Sequence, residues 1–242
     1  MAESEWTFLT GGLGIGSVAR GVTAGVAKPN GGGSFVYGFN SRAIVDGAVA
    51  LHNNQASFVP MVKGCSIRGA IKRAPGGGPI GFAPFLFGGL QGGAVTDQGY
   101  LLGLGDDDPH HIVLRKGSIV GGLPDDVPNP PTTDVLLRSS ASFSEDEWHH
   151  LRLDMIVQGT GDVLLQCFQN DLGVNPVTAP VWALIPGMEG PQYPAIAGFV
   201  DDALGVNTGS PPFTSGRGGF AFRVEDVTRR AFFDHLEIAR QL

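Results

Sequence analysis

Apolar and polar side chains alternate with a period of two through much of the second half of the chain. Over residues 148–157, His149, Leu151, Leu153, Met155 and Val157 fall on one face, and Trp148, His150, Arg152 and Asp154 on the other. That period marks a half-buried strand, because successive side chains leave a pleated backbone on opposite sides. Residues 159–162 (Gly-Thr-Gly-Asp) supply a turn, and 163–168 read as the returning strand of a hairpin. Residues 218–224, with Phe220, Phe222 and Val224 inward, and residues 231–238 read as a second strand–turn–strand unit. In that unit Asp234 falls on the expected core face with Phe232 and Leu236, where burial would demand a hydrogen-bonding or charged partner.

Further strand candidates lie upstream, at residues 35–39, 48–51, 65–71, 80–87, 99–105, 112–115 and 135–143. Asp106, Asp107, Asp108 and Pro109 form the loop of another hairpin. No stretch keeps a helical period beyond about two turns, and one short helical turn is expected near residues 199–204. The expectation is an all-β, antiparallel two-sheet sandwich. A chain of 242 residues suits one such domain, and its 38 glycines punctuate the apolar runs as many short strands require.

Two regions depart from this rhythm. Residues 1–33 are glycine-rich with small side chains between, too little apolar surface to offset their ordering entropy alone. They read as an extended N-terminal arm or assembly segment, leaving residues 34–242 as the sandwich. Gly12-Leu13-Gly14-Ile15-Gly16-Ser17 lacks the strand–loop–helix setting of a phosphate loop and reads as flexible backbone. Residues 169–216 form a long, proline-interrupted excursion, of the kind that carries function or packs on a partner.

The formal net charge of −7 argues against a nucleic-acid surface, which needs clustered Lys and Arg. Residues 9–26 are too glycine-rich, and broken by Arg20, to span a membrane. Met1-Ala2-Glu3-Ser4-Glu5 lacks the basic start of a signal peptide, so synthesis in the cytoplasm is expected. Cys65 and Cys167 sit within apolar alternation and read as buried thiols.

The strand at 147–153 (Glu-Trp-His-His-Leu-Arg-Leu) with its return at 161–165, and the pair at 218–224 and 233–238, resemble the concanavalin A-like family of lectins, glucanases and laminin-G-like domains. The resemblance implies a jelly-roll sandwich over about residues 34–240 and does not by itself give a function. The whole chain is also similar to uncharacterised virion proteins of tailed bacteriophages. The residues that carry this are 100–104, 111–117, 168–172, 201–207 and 232–235. That second resemblance implies a structural component of capsid, collar, tail or fibre, made in the host cytoplasm and located in the virion. Its partners would be other virion proteins and copies of itself, assembled through the arm and loops.

Candidate chemistry is sparse, and no catalytic residues are expected. Glycoside hydrolysis needs two carboxylates roughly 5–9.5 Å apart; Glu145 and Glu147 would stand about 6.7 Å apart on an extended strand. Ser144-Glu145-Asp146-Glu147 nonetheless reads as a polar turn, whose solvated carboxylates make poor general acids. A carbohydrate-binding module for host-surface glycans is the alternative function, ahead of a polysaccharide-cleaving enzyme. It would use Trp182 as a stacking platform and the loop residues Asp106, Asp107, Asp108 and His110 as polar contacts. No cofactor or metal is expected; calcium is the ion such aspartates would take, but no EF-hand spacing is present. The adjacent pairs His110-His111 and His149-His150 cannot chelate one ion from a strand, since neighbours point to opposite faces.

Overall fold

The computed structural model describes residues 6–11, 18–21, 36–40, 46–52, 64–73, 82–92, 97–105, 110–118, 135–170, 178–224 and 230–240. Their strands are β1 (Trp6–Gly11), β2 (Val18–Gly21), β3 (Val36–Asn40), β4 (Asp46–His52), β5 (Cys65–Arg73), β6 (Phe82–Leu90), β7 (Gln98–Leu104) and β8 (His111–Ser118). There follow β9 (Val135–Ser142), β10 (His149–Val157), β11 (Val163–Asn170), β12 (Trp182–Leu184), β13 (Phe199–Asp201), β14 (Arg217–Val224) and β15 (Arg230–Arg240). No helix occurs among the described residues.

The strands form two antiparallel sheets. One runs β1-β4-β14-β6-β7-β8-β9; the other runs β12-β11-β10-β5-β15-β3-β2, with β13 on the same side of β11 as β12. Between the sheets lies one core: Leu151, Leu153 and Met155 of β10 and Val163, Leu165 and Cys167 of β11 meet Tyr100, Leu102, Leu104, Leu114, Phe220 and Phe222. All are fully or almost fully buried, and each such side chain contributes roughly 1.5–3 kcal/mol.

The β10–β11 hairpin forms as expected, with Val157 opposite Val163, and its turn needs Gly161 at φ +91°. β7 and β8 likewise pair across the aspartate loop. Within residues 1–33, β1 pairs with β4 and β2 with β3, each at the end of a sheet; the rest of the expected arm lies outside the described residues. Cys65 and Cys167 are buried thiols on either side of β10. Burial in apolar surroundings pushes the Cys167 thiol well above its usual range, with the Asp154 charge adding to it.

Three expectations are corrected. Residues 218–224 and 231–238 are not a hairpin: β14 belongs to one sheet and β15 to the other. Phe220 and Phe233 face each other across the interior instead, ring centroids 4.7 Å apart. Alternation cannot tell a partner in the same sheet from one in the opposite sheet. Asp234 is not on the core face. Phe233 is the core residue, while Phe232 packs with Ala70 and Trp148 on the other side of the sheet. The register shifts between Asp234 and Glu237, at His235, whose φ is +52°. This bulge resets the alternation and returns Leu236 and Ile238 to the core. Residues 199–204 are β13 followed by turns, with the Asp202 carboxylate accepting from the N–H groups of Leu204, Val206 and Asn207.

The excursion is docked on its own sandwich. Ile185 and Met188 join the core, and Asp201 is completely buried. Asp201 accepts from the Tyr100 hydroxyl at 2.5 Å and from Thr208 Oγ1 at 2.8 Å, and pairs with Lys116 Nζ at 2.8 Å. Lys116 also donates to the carbonyls of Ser210 and Pro211. Burial, and then the Asp201 charge, push the Tyr100 hydroxyl far above its ordinary range.

Candidate functional site

The outer face of the second sheet carries a row of side chains set by strand register. Phe168, Arg152, Arg68 and Glu237 are successive cross-strand partners on β11, β10, β5 and β15. Two guanidinium groups directly opposite each other would repel; each has a carboxylate, Arg68 with Glu237 at 2.5 Å and Arg152 with Asp154 at 3.1 Å. The Arg152 guanidinium also lies over two rings, 4.2 Å from the Phe168 centroid and 5.2 Å from that of Trp182. The half-buried indole of Trp182, at the sheet end, is thereby held in place.

Trp182, Arg68, His150, His235 and Glu237 line a cavity of about 150 Å³. His150 and His235 stack there with centroids 5.7 Å apart. Burial lowers the His150 pKa to about 4, helped by the two neighbouring histidines, so its ring is neutral near pH 7. His235 Nε2 and Arg152 Nε are buried without a hydrogen-bond partner among the described residues.

A second opening, of about 570 Å³, lies between the sheet-end strands β9 and β12 and takes in the start of β10. Below it the sheets are bridged where Ser140 N–H donates to the Pro186 carbonyl at 2.7 Å. Gly187, at φ +89°, permits that approach: a Cβ there would stand 2.3 Å from the Ser140 nitrogen. β12 serves both openings, turning Trp182 to the first and Val181 and Ala183 beside it to the second.

Of the expected contact residues that are described, Trp182 and His110 stand apart. Trp182 lines the first cavity. His110 lies elsewhere, where Arg73 Nη2 donates to its Nε2 at 2.7 Å and Glu145 Oε2 stands 3.4 Å away. Asp106, Asp107 and Asp108 lie outside the described residues. Calcium takes oxygen ligands, and a His110 ring engaged by a guanidinium does not fit that role. Among the described residues no three His, Cys, Asp or Glu side chains cluster as metal ligands. Of the two carboxylates weighed for hydrolysis, Glu145 is gripped by Arg73 at 2.7 Å and Glu147 is exposed. Arg68, Arg152, His150 and His235 were missed as site residues. Alternation put His150 and Arg152 on the outer face, but only sheet order brings them beside Trp182 and β15.

No protein-family model and no curated protein sequence matches the chain. Solved structures do. The marine PL-14 alginate lyase from Aplysia kurodai superposes with a TM-score of 0.51 at 12% identity, covering 93% of this chain and 87% of that one. Carbohydrate binding module CBM66 from Bacillus subtilis gives 0.48 at 13% identity, covering 97% and 95%. A legume lectin-like domain from Entamoeba histolytica gives 0.45 at 10%, covering 99% and 90%. The fold is a concanavalin A-like jelly-roll sandwich. At 12% identity the superposition on the alginate lyase bears on the architecture and no more. The two-sheet sandwich supplies the face on which the Trp182 cluster stands, with the excursion packed along its flank.

Proposed function

We propose that this chain is a carbohydrate-binding sandwich, without catalysis of its own, that holds a sugar at the Trp182 face of the second sheet. The observation carrying this is an indole anchored by Arg152 at the side of a cavity that Arg68, His150, His235 and Glu237 also line. A pyranose has apolar C–H faces and a rim of hydroxyls. The first pack on an aromatic ring, and the second pair with side chains that both donate and accept. A fixed indole loses little freedom on binding. The volume of about 150 Å³ is below the roughly 300–1,000 Å³ of clefts that enclose larger ligands, and suits one residue at the tip of a glycan. In the virion setting that the sequence resemblance implies, the ligand would be a host-surface glycan. The sandwich would then be a non-enzymatic part of the particle, beside other virion proteins and copies of itself.

Glycan-array and calorimetric binding test this reading. Trp182→Ala should weaken the best array ligand about tenfold or more while the fold, read by circular dichroism, is kept. Unchanged affinity in the folded variant refutes it. Loss of binding on adding chelator would move the site to Asp106, Asp107 and Asp108.

A further inference from the structure

We infer that the slot between β9 and β12 is a second binding site, next to the Trp182 cavity and sharing His150 with it, for a small hydroxyl-rich ligand of sugar size that donates hydrogen bonds. At about 570 Å³ the slot falls within the range of ligand clefts, and it has their make-up of apolar walls with a few convergent polar groups. Phe143, Val181 and Ala183 supply the walls, and Glu147, His149 and Gln169 the polar groups. The chemistry of those groups is asymmetric. His149 Nε2 donates to the Ser144 carbonyl at 2.6 Å, which fixes the proton on that nitrogen and leaves Nδ1 as an acceptor. The ring is held edge-on to Phe143, centroids 5.3 Å apart. Burial keeps it neutral by lowering its pKa. Glu147, exposed at the mouth, adds a carboxylate, which only accepts when ionised. These two groups accept, while the Gln169 amide both donates and accepts. Hydroxyl or ammonium groups are matched, and an anionic ligand meets the Glu147 charge.

The test is an amide-resolved NMR titration of the full chain with maltose, cellobiose and lactose, and then with glucosamine against glucuronate. At least one neutral disaccharide should give saturable shifts at His149 and Gln169. Glucosamine should bind roughly tenfold more tightly than glucuronate, and Glu147→Gln should narrow that ratio. Val181→Trp, made at an exposed wall position, should abolish the shifts, as should Ser142→Trp from the opposite wall if the first variant misfolds. Trp182→Ala should leave them intact, which separates failure of this site from failure of the other. The inference is overturned if no disaccharide gives saturable shifts or glucuronate binds as well as glucosamine. Shifts that survive a filled slot, or vanish with Trp182→Ala, overturn it equally.

Discussion

Two polar clusters of this sandwich, each holding an ion pair between a base and a carboxylate, differ in what surrounds that pair. At the flank, Lys116, Asp201, Tyr100 and Thr208 form a buried network that ties residues 199–213 to β7 and β8. On the outer face of the second sheet, Arg68, His150, His235 and Glu237 line open space beside Arg152, and a buried nitrogen of His235 and one of Arg152 lack partners among the described residues. A charge out of water is tolerated where every lone pair and proton is matched. The first cluster builds structure, and the second is where a ligand is sought.

The largest test removes one member of the buried pair. Asp201→Ala leaves the Lys116 ammonium, whose side chain is 4% exposed, without its counter-charge. We expect a loss of about 3–5 kcal/mol, read by urea denaturation. A loss under 1 kcal/mol would mean that water reaches Lys116 and that the two clusters do not differ in kind.

A smaller effect follows from the histidines of the open face. In the unfolded chain His150 takes up a proton near its ordinary pKa of 6.5; in the folded protein it does so only at about 4. Between those values the unfolded chain holds more protons, so stability falls as the pH drops from about 6.5 to about 4. The loss is on the order of 3 kcal/mol. His149, lowered in the same direction by burial, adds to it. Denaturation at pH 7 and pH 4.5 should show the decline, and His150→Gln should flatten it. A decline of the same size in His150→Gln would trace the pH dependence to other groups.

These contrasts also mark what could be read from residue order alone. Leu151, Leu153 and Met155 announce a buried strand, and the Gly161 turn announces its hairpin, because both signals are local. The destination of β15 is not local: Phe233 pairs in one sheet and packs on Phe220 of the other. Nor is the bulge at His235, a single residue that reverses the faces of all that follow. Asp201 and Lys116 lie 85 positions apart and look like surface charges until the excursion folds back. Trp182 stood out as an aromatic in a proline-rich stretch. Its neighbours Arg68 and His150 come from strands that residue order does not place beside it.

The smallest effect sharpens the comparison most. Arg68–Glu237 is as close as Lys116–Asp201, yet its side chains are 31% and 51% exposed. Water already screens this pair, so Glu237→Gln should cost at most about 1 kcal/mol, and less still at high salt. Arg68 would then face Arg152 across the strand with one carboxylate fewer, raising the positive potential in the cavity. A carboxylated sugar should accordingly gain affinity in Glu237→Gln while a neutral one changes little. Were the cost to match that of Asp201→Ala, the outer face would be as desolvated as the flank, and a site open to a ligand could not stand there.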